Sequence, residues 1–300
     1  MCTCATVAQA TAFAQVTEAV GGRASGMGGA FVAVASDSSA TWWNPAGLAP
    51  GPFLDLALGR ATVATPEVWR YRTSWFALGT PPLGVSYYRF RLTDIQPFDP
   101  TAAPPPGRED RRAGVAVRSL AASQLGVTLV QTIISGVHTG ATLKYLRAAP
   151  EGGETDQSVD LDLGVLATAG AVRLGARMRN VAEPTIGTAR LERQTRVGVA
   201  LDAEAAGGAP LTVAIDVDVD AYATASGMRR VVAFGAEHWL WDRRLGLRGG
   251  GRMNRAGARD RSATAGASVA IRAGVYVDGH VVGGGAADER GWGVAARVSF

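Results

Sequence analysis

The stretch Leu211-Thr212-Val213-Ala214-Ile215-Asp216-Val217-Asp218-Val219-Asp220-Ala221-Tyr222 decides the fold class, because apolar and polar side chains alternate along it. A period of two residues is typical of a β-strand with one apolar and one polar face. The same alternation, with Asp or Arg on the polar side, returns in Val159–Ala167, Val172–Asn180 and Leu245–Met253. The sequence therefore predicts an all-β protein whose strands each carry a charged face.

The composition agrees with a folded chain of strands and turns. Hydrophobic residues make up 47% of the 300 residues and charged residues 19%, which excludes a disordered protein. Glycine is abundant at 39 residues, and Lys144 is the single lysine. The net charge is +4, but the arginines are spread along the chain between aspartates instead of forming a cluster. We therefore expect no nucleic-acid partner.

A soluble sandwich would also alternate, so other features must distinguish it from a membrane protein. The repeating unit is a strand of about ten residues plus a turn, which is the length that crosses a bilayer at a tilt. Aromatic residues also gather near the strand ends, as in the girdles of membrane barrels. These aromatics are Trp69, Tyr71, Trp75, Phe76, Tyr87, Tyr88, Trp239, Trp241 and Trp292. Both features favour a single transmembrane antiparallel β-barrel.

Counting alternating segments gives about 14 strands, an even number as in bacterial single-chain barrels. Short connections such as Thr80–Pro82 alternate with long ones such as Gln96–Arg111, which predicts short periplasmic turns and longer outer loops. The expected strands are Pro52–Val63, Trp69–Thr80, Leu83–Ile95, one within Ala113–Ile133, Val137–Arg147, Ser158–Thr168, Ala171–Val181, Gln194–Ala203, Leu211–Tyr222, Met228–Leu240, Leu245–Arg255, Ser262–Ile271, Val275–Gly284 and Gly291–Phe300.

The two ends of the chain carry signals of export and assembly. Residues 1–14 are interpreted as a signal peptide that begins upstream of Met1, because Ala12-Phe13-Ala14 fits a cleavage site and no basic region precedes it. The alternative is a disordered tail. The last strand places Trp292 and Phe300 on one apolar face, and a terminal Phe resembles the signal that the outer-membrane barrel assembly machinery recognises. We therefore expect that machinery and outer-membrane lipid as partners, and a bacterial outer-membrane location.

Residues 21–50 do not alternate, and three motifs in them occur in order. These motifs are Gly26-Met27-Gly28-Gly29-Ala30, then Ala35-Ser36-Asp37, then Trp43-Asn44-Pro45-Ala46-Gly47-Leu48. This arrangement resembles the FadL/PorV family of bacterial outer-membrane proteins. Weaker similarity to the family follows at Gly140–Leu146 and Gly235–Leu240.

The resemblance implies a barrel of residues 51–300 with residues 15–50 folded inside it as a hatch. Its expected hatch or gate residues are Gly26, Gly28, Gly29, Asp37, Trp42, Trp43, Asn44, Pro45 and Ala46. The glycines would let backbone pass close to the wall and adopt positive φ, and Asn44 before Pro45 would be extended. The FadL branch implies passive uptake of hydrophobic or amphipathic small molecules of the fatty-acid or hydrocarbon class. The PorV branch implies the alternative, a role in secretion or surface assembly of protein cargo.

The charged strand faces predict a lumenal ladder of Asp160, Asp162, Arg177, Arg179, Asp216, Asp218 and Arg248. They must point inward because an Arg facing lipid near the midplane costs about 2–4 kcal/mol. If Ala169-Gly170 forms the turn of a hairpin, Thr168 faces Ala171, Asp162 lies opposite Arg177, and Asp160 lies opposite Arg179.

The sequence offers little for catalysis or metal binding. His138, His238 and His280 are the only histidines, and the nucleophile-elbow, P-loop and zincin motifs are absent. Asp216, Asp218 and Asp220 raise the idea of a cation site, but they are only alternate neighbours on one strand face. We expect no enzyme activity, no cofactor and no bound metal.

Overall fold

The computed structural model describes residues 20–64, 69–97, 115–150, 154–186, 189–224, 227–257, 259–284 and 290–300. The predicted signal peptide and residues 15–19 of the predicted hatch lie outside these ranges. Among the helices of the described residues, none is long and apolar enough to cross a membrane.

Fourteen antiparallel strands form a closed barrel, as predicted, and two separate two-stranded hairpins accompany it. The wall strands are β1 (Asp55–Ala64), β2 (Trp69–Thr80), β3 (Leu83–Pro97), β4 (Val115–Ile134), β5 (Val137–Pro150), β6 (Asp156–Ala169), β7 (Val172–Arg179), β10 (Gln194–Asp202), β11 (Leu211–Asp218), β14 (Val231–Leu240), β15 (Leu245–Asn254), β16 (Arg261–Arg272), β17 (Val275–Gly284) and β18 (Arg290–Ser299). The hairpins are β8 (Thr185–Ile186) with β9 (Ala189–Arg190), and β12 (Tyr222–Thr224) with β13 (Gly227–Arg229).

The connections alternate in length, so the barrel has two distinct ends. The end termed the turn end carries the short connections, such as residues 81–82, 135–136 and 273–274. The loop end carries the longest ones, including both extra hairpins, and the turn end has one longer connection, residues 203–210, with a 3₁₀ helix at Glu204–Ala206. β11 is shorter than expected, because the chain leaves the wall after Asp218 and Tyr222–Thr224 pairs with Gly227–Arg229 instead. Bacterial barrels keep their short turns in the periplasm, which assigns the loop end to the cell exterior.

Alternation along each strand separates an apolar exterior from a polar interior. In β11, Val213 and Ile215 are 43% and 49% exposed, whereas Asp216 and Asp218 are buried. β7 repeats this, with Leu174 exposed and Arg177 buried. A closed barrel with a largely apolar outer surface and charged inner surface is a transmembrane barrel, and it places the protein in the bacterial outer membrane.

The prediction that the aromatic residues near strand ends form interfacial girdles is wrong for several of them. Trp75, Tyr88 and Trp239 are buried on the inner face, and Tyr71 shares the inward parity of Trp75. The reason is the strand period: Trp75 and Phe76, like Tyr87 and Tyr88, are consecutive, so only one of each pair can face outward. Phe76, Tyr87, Trp241 and Trp292 are exposed. The side chain of Trp69 lies outside the described part of the chain.

The predicted register of the β6–β7 hairpin is wrong by two residues. Leu163 lies opposite Met178, and Ala169 opposite Val172, so the turn is Gly170-Ala171. Gly170 adopts φ +59°, a left-handed conformation that glycine takes without strain, which explains why the turn starts there. A shift of two residues keeps every side chain on its predicted face. Asp162 therefore lies near Arg179 and not opposite Arg177.

Candidate functional site

Residues 20–50, termed the lumen segment, pack against inward-facing residues of the wall. They form two short helices, Gly22–Gly26 and Ala40–Trp43, and a 3₁₀ helix, Pro45–Leu48. Nearly all of these residues are buried. Their contacts run round the wall from β17 and β16 through β15, β14, β11, β10, β7, β6 and β5 to β3, β2 and β1. The segment therefore touches the inner wall around most of its circumference.

Wall glycines provide the space for this contact. At each of eight inner-wall glycines, a Cβ atom would lie 3.0 Å or less from the lumen segment, which is tighter than ordinary van der Waals contact. At Gly235, for example, it would lie 2.3 Å from the Met27 carbonyl oxygen. The wall sequence is thus matched to the segment inside it. The eight are Gly79, Gly84, Gly140, Gly164, Gly175, Gly235, Gly250 and Gly266.

Wall side chains also satisfy the buried backbone of the segment, which needs hydrogen-bond partners. The Asp216 carboxylate oxygen Oδ2 accepts from the backbone N–H groups of Phe31 and Val32, both at 2.8 Å. The Thr264 hydroxyl donates to the Gly26 carbonyl oxygen at 2.9 Å. Asp216, predicted as a ladder residue, therefore holds segment backbone, and no arginine of the described residues is hydrogen-bonded to it.

Asn44 and Pro45 fix the second half of the segment. Asn44 is extended, at φ −161° and ψ 104°, as a residue before proline prefers. Its amide nitrogen donates to the Val32 carbonyl at 2.8 Å and to the Val165 carbonyl of β6 at 3.0 Å, and its Oδ1 accepts from the Ala46 N–H. Pro45 begins the 3₁₀ helix, where a missing N–H costs nothing.

Trp42 and Trp43, two adjacent residues of the lumen segment, lie against arginines of β7. The Arg179 guanidinium lies 3.8 Å from the Trp42 ring centroid, and the same ring packs edge-on against Tyr88 at 4.8 Å. Arg177 donates to the Trp42 carbonyl at 3.3 Å. The Trp43 indole N–H donates to the Val20 carbonyl at 2.9 Å. Trp42 is therefore held by Arg179 and Tyr88, and Trp43 is held by its bond to Val20 and by Arg177, 5.6 Å from its ring centroid.

The three glycines predicted for the hatch are glycine for two different reasons, positive φ and close approach to the wall. Gly28 and Gly29 have positive φ, +68° and +81°, as expected. Gly26 does not, but a Cβ there would lie 3.1 Å from the Gly266 backbone, so it is limited by close approach. Asp37 accepts hydrogen bonds from Ser39 and lies 3.3 Å from the Arg23 guanidinium.

The predicted ladder residues are all buried on the inner face, but their partners differ from those predicted. Lys144 forms ion pairs with Asp160 at 2.8 Å and Asp162 at 2.6 Å. Arg179 lies 3.5 Å from Asp162. The register error accounts for the Arg179–Asp162 contact, whereas Lys144 is a partner from β5 that the hairpin prediction did not include. Asp218 pairs with Arg196, at 2.6 Å.

A second network joins the start of the segment to the wall. Arg23 donates to Glu237 at 2.6 and 2.8 Å, and Arg248 donates to the same carboxylate at 2.6 Å. Arg297 of β18 links Asp278 and Asp55. Burial disfavours the charged form of Arg23, but the Glu237 and Asp37 carboxylates outweigh it and hold the pKa of Arg23 above its usual value. The segment is therefore held by charge as well as by packing.

Sequence reasoning missed Arg23, Lys144 and Glu237 as contact residues, and it missed the wall glycines. A usable signal existed for the glycines, since they fall at inward positions of alternating strands. The idea of a three-aspartate cation site is not supported, because Asp220 lies exposed beyond the end of β11. The described residues hold no cluster of three or more potential metal ligands.

Towards the loop end, the inner wall formed by β3, β4 and β5 is apolar, whereas β7, β10 and β15 carry polar or charged residues there. Phe90 packs on Trp42 with ring centroids 5.4 Å apart, and the next inward residue, Leu92, is buried. Leu146 follows Lys144 on the inner face of β5 and clusters with residues of the loop-end connections. We term this surface the apolar vestibule. Its members are Phe90, Leu92, Leu120, Ala122, Leu146, Ala148, Ile186 and Leu191.

The barrel seam lies beside the C-terminus. β18 pairs with β1 over the full length of β1, and the backbones of Phe300 and Leu54 exchange two hydrogen bonds of 2.8 and 3.0 Å. Trp292 and Phe300 are exposed on the apolar outer face at 54% and 62%. The geometry that the assembly prediction requires is present, and recognition by the assembly machinery remains a prediction.

Together, the closed fourteen-stranded wall, apolar exterior and inward-packed N-terminal segment define an outer-membrane β-barrel with an occupied lumen. Among solved structures, the chain is similar to the Pseudomonas putida toluene transporter TodX, with a TM-score of 0.61, 12% identity, and coverage of 94% of this chain and 97% of that one. It is also similar to a Pseudomonas aeruginosa FadL homologue, with a TM-score of 0.58, 9% identity, and coverage of 95% and 98%. The chain thus has the fold of FadL-type outer-membrane barrels. No family model and no curated protein matches the sequence.

Proposed function

We propose that this protein is a FadL-like outer-membrane channel for passive uptake of hydrophobic or amphipathic small molecules, of the fatty-acid or hydrocarbon class. The observation that carries the proposal is the apolar vestibule. A general diffusion porin lines its lumen with polar groups and water. Here the loop-end part of the inner wall formed by β3, β4 and β5 presents Phe90, Leu92 and Leu146 instead.

The lumen segment supports the same proposal. Its wall contacts leave little room for a wide water-filled pore, and small solutes would have to pass beside it. We propose that residues 20–50 act as the hatch, with Asn44, Pro45 and Ala46 as the part that contacts the wall glycines of β5 and β6. A hydrophobic solute would then lie first on the vestibule and next against Trp42 and Phe90.

The test changes the vestibule without touching the hatch. Leu92→Gln with Leu146→Gln places two polar groups on the apolar surface, and we expect uptake of a radiolabelled long-chain fatty acid or toluene to fall at least ten-fold, since each buried Leu contributes about 2 kcal/mol to apolar contact and about 1.4 kcal/mol corresponds to ten-fold. The assay uses a deletion strain complemented with each variant. Gln124→Leu, directly opposite Leu146 on β4, is the matched control and should retain or raise uptake.

Unchanged uptake in the double variant, with normal barrel folding on gels, would refute the proposal. A secretion role, the alternative from the sequence, predicts a different result. In that case hydrophobic uptake would not depend on the protein at all, and a pull-down from detergent extract would recover secreted cargo.

A further inference from the structure

The outward face of β1, β2, β3 and β5 carries exposed arginines, which lie nearer the loop end than the apolar residues of the same strands. Over β6, β7, β10 and β11, the outward side chains include exposed Val159, Leu174, Val199 and Ile215, with no charged residue among the described outward positions of those strands. We term the arginines the outer arginine patch. They are Arg60, Arg72, Arg89, Arg91 and Arg147.

The strand register places these arginines close together. One cross-strand row runs Arg60, Ser74, Arg89, Ser123, Arg147, so that arginine and serine alternate over five neighbouring strands. Arginines on alternate strands are about 10 Å apart at the backbone, twice the spacing of adjacent strands. Arg72 lies directly opposite Arg91 on the same face, next to that row.

Nothing in the described protein balances this charge. No ion pair or hydrogen bond joins any of the five side chains to another described residue, and the described outward positions of β1–β5 include no Asp or Glu. In the lumen, by contrast, Arg196 and Arg248 each contact a carboxylate. Like charges directly opposite each other on a sheet are destabilising, so an anion bound between Arg72 and Arg91 would stabilise this part of the wall.

The patch lies at the upper edge of the apolar band. Below Arg60 towards the turn end, the outward residues are Leu58 and Leu56, and below Arg89 they begin with Tyr87. Tyr87 and Tyr145 are 42% and 43% exposed, each two residues from an arginine of the row. Aromatic side chains of this kind mark the membrane–water interface. The patch therefore faces the headgroups of the leaflet at the loop end, which is the outer leaflet.

Arginine guanidinium groups bind phosphate oxygens in pairs, and clusters of four to eight basic residues recognise anionic lipid headgroups. We propose that the outer arginine patch is a binding site for the phosphate groups of a phosphorylated lipid in the outer leaflet. The spacing suits a headgroup with more than one phosphate, because the row offers guanidinium groups on three separate strands. This proposal is independent of the uptake function.

The test measures lipid retained by the purified full-length protein in detergent, by native mass spectrometry, after addition of diphosphorylated lipid A. The test variant combines Arg72→Ser, Arg89→Ser and Arg91→Ser. Serine is chosen because the cross-strand row already contains Ser74 and Ser123. We expect retained lipid A to fall about a hundred-fold, at about five-fold for each arginine near an anionic surface. Arg261→Ser, an exposed arginine at the start of β16, is the control and should retain lipid A.

A second measurement does not depend on any variant. The wild-type protein should retain dephosphorylated lipid A and phosphatidylethanolamine far less than diphosphorylated lipid A, and millimolar inorganic phosphate should not replace the lipid. Equal retention of phosphorylated and dephosphorylated lipid A would overturn the proposal. So would equal loss of lipid A in the Arg261→Ser control, or tight binding of inorganic phosphate alone.

Discussion

Arg23 of the lumen segment donates hydrogen bonds to both carboxylate oxygens of Glu237, a wall residue 214 positions later in the chain, at 2.8 Å for Nε–Oε1 and 2.6 Å for Nη2–Oε2. Glu237 is buried, and it also accepts from Arg248. This pair joins the N-terminal segment to β14 in the closed barrel. It therefore offers a direct means of testing how firmly the segment is held.

Glu237→Gln should loosen the segment without unfolding the barrel. Removing one partner of a buried ion pair costs about 3–5 kcal/mol, because the remaining charge stays buried without its counterion. We expect hydrogen exchange of residues 22–36 to accelerate at least ten-fold, as measured by mass spectrometry. Glu183→Gln removes the partner of an exposed pair with Arg190 and should leave the exchange unchanged. Equal protection in both variants would show that Arg23 and Glu237 do not hold the segment.

Gly250→Val should disturb the lumen segment, and Gly249→Val should not. A Cβ at Gly250 would lie 2.4 Å from the Met27 carbonyl carbon, whereas nothing lies within 4 Å of one at Gly249. The two glycines are consecutive in β15, so the higher β-propensity of valine should affect the strand equally at both positions. We expect only Gly250→Val to expose residues 20–50 to limited proteolysis and to raise permeability to hydrophobic antibiotics. Proteolysis that is the same for both variants would mean that the segment does not pack on this wall.

The hairpin register can be tested with cysteine pairs after Cys2 and Cys4 are replaced by serine. Leu163→Cys with Met178→Cys should crosslink rapidly under mild oxidation, because these residues are direct partners. Leu161→Cys with Met178→Cys should crosslink far more slowly, since two residues of offset separate the sulfur atoms. Faster crosslinking of the second pair would contradict the observed register. It would instead support the register that the sequence predicts.

This hairpin also shows what the sequence can and cannot predict. Strand positions, their number and the inward face of Asp160 or Arg179 follow from alternation, which depends only on local pattern. The partners of those residues do not, because Lys144 on β5 competes for Asp160 and Asp162 and the turn shifts the register by two. A register shift of two residues keeps every side chain on its face, so matching polar with polar residues across the hairpin cannot detect it.

The lumen segment shows a similar division. Its motifs indicated that Trp42, Trp43 and Asn44 belong to a special segment, and Asn44 before Pro45 is extended as expected. The contacts to Glu237 and Asp216 join residues about 200 positions apart. Such contacts depend on which strands face each other across the lumen, and no local pattern encodes them. The sequence predicts too many residues in the aromatic girdle, because clustering near strand ends does not show which face of the strand each ring occupies.

Phe300→Asp should prevent assembly. Phe300 lies 62% exposed at the end of the apolar outer face, and its backbone pairs with Leu54 at the barrel seam. We expect the variant to lose heat-modifiable migration on gels and to be degraded in the periplasm. Phe53→Asp is the control, because Phe53 is 80% exposed yet lies outside the terminal strand. Normal migration of Phe300→Asp would exclude this residue as an assembly signal.

The central claim is that hydrophobic molecules cross this barrel although residues 20–50 occupy its lumen. The most direct measurement is uptake of radiolabelled toluene or oleate, beside a radiolabelled disaccharide, in a deletion strain with and without the gene for this protein. The account predicts that expression raises hydrophobic uptake several-fold and leaves disaccharide uptake at the background level. A rise in disaccharide uptake without a rise in hydrophobic uptake, or no change in either, would contradict it.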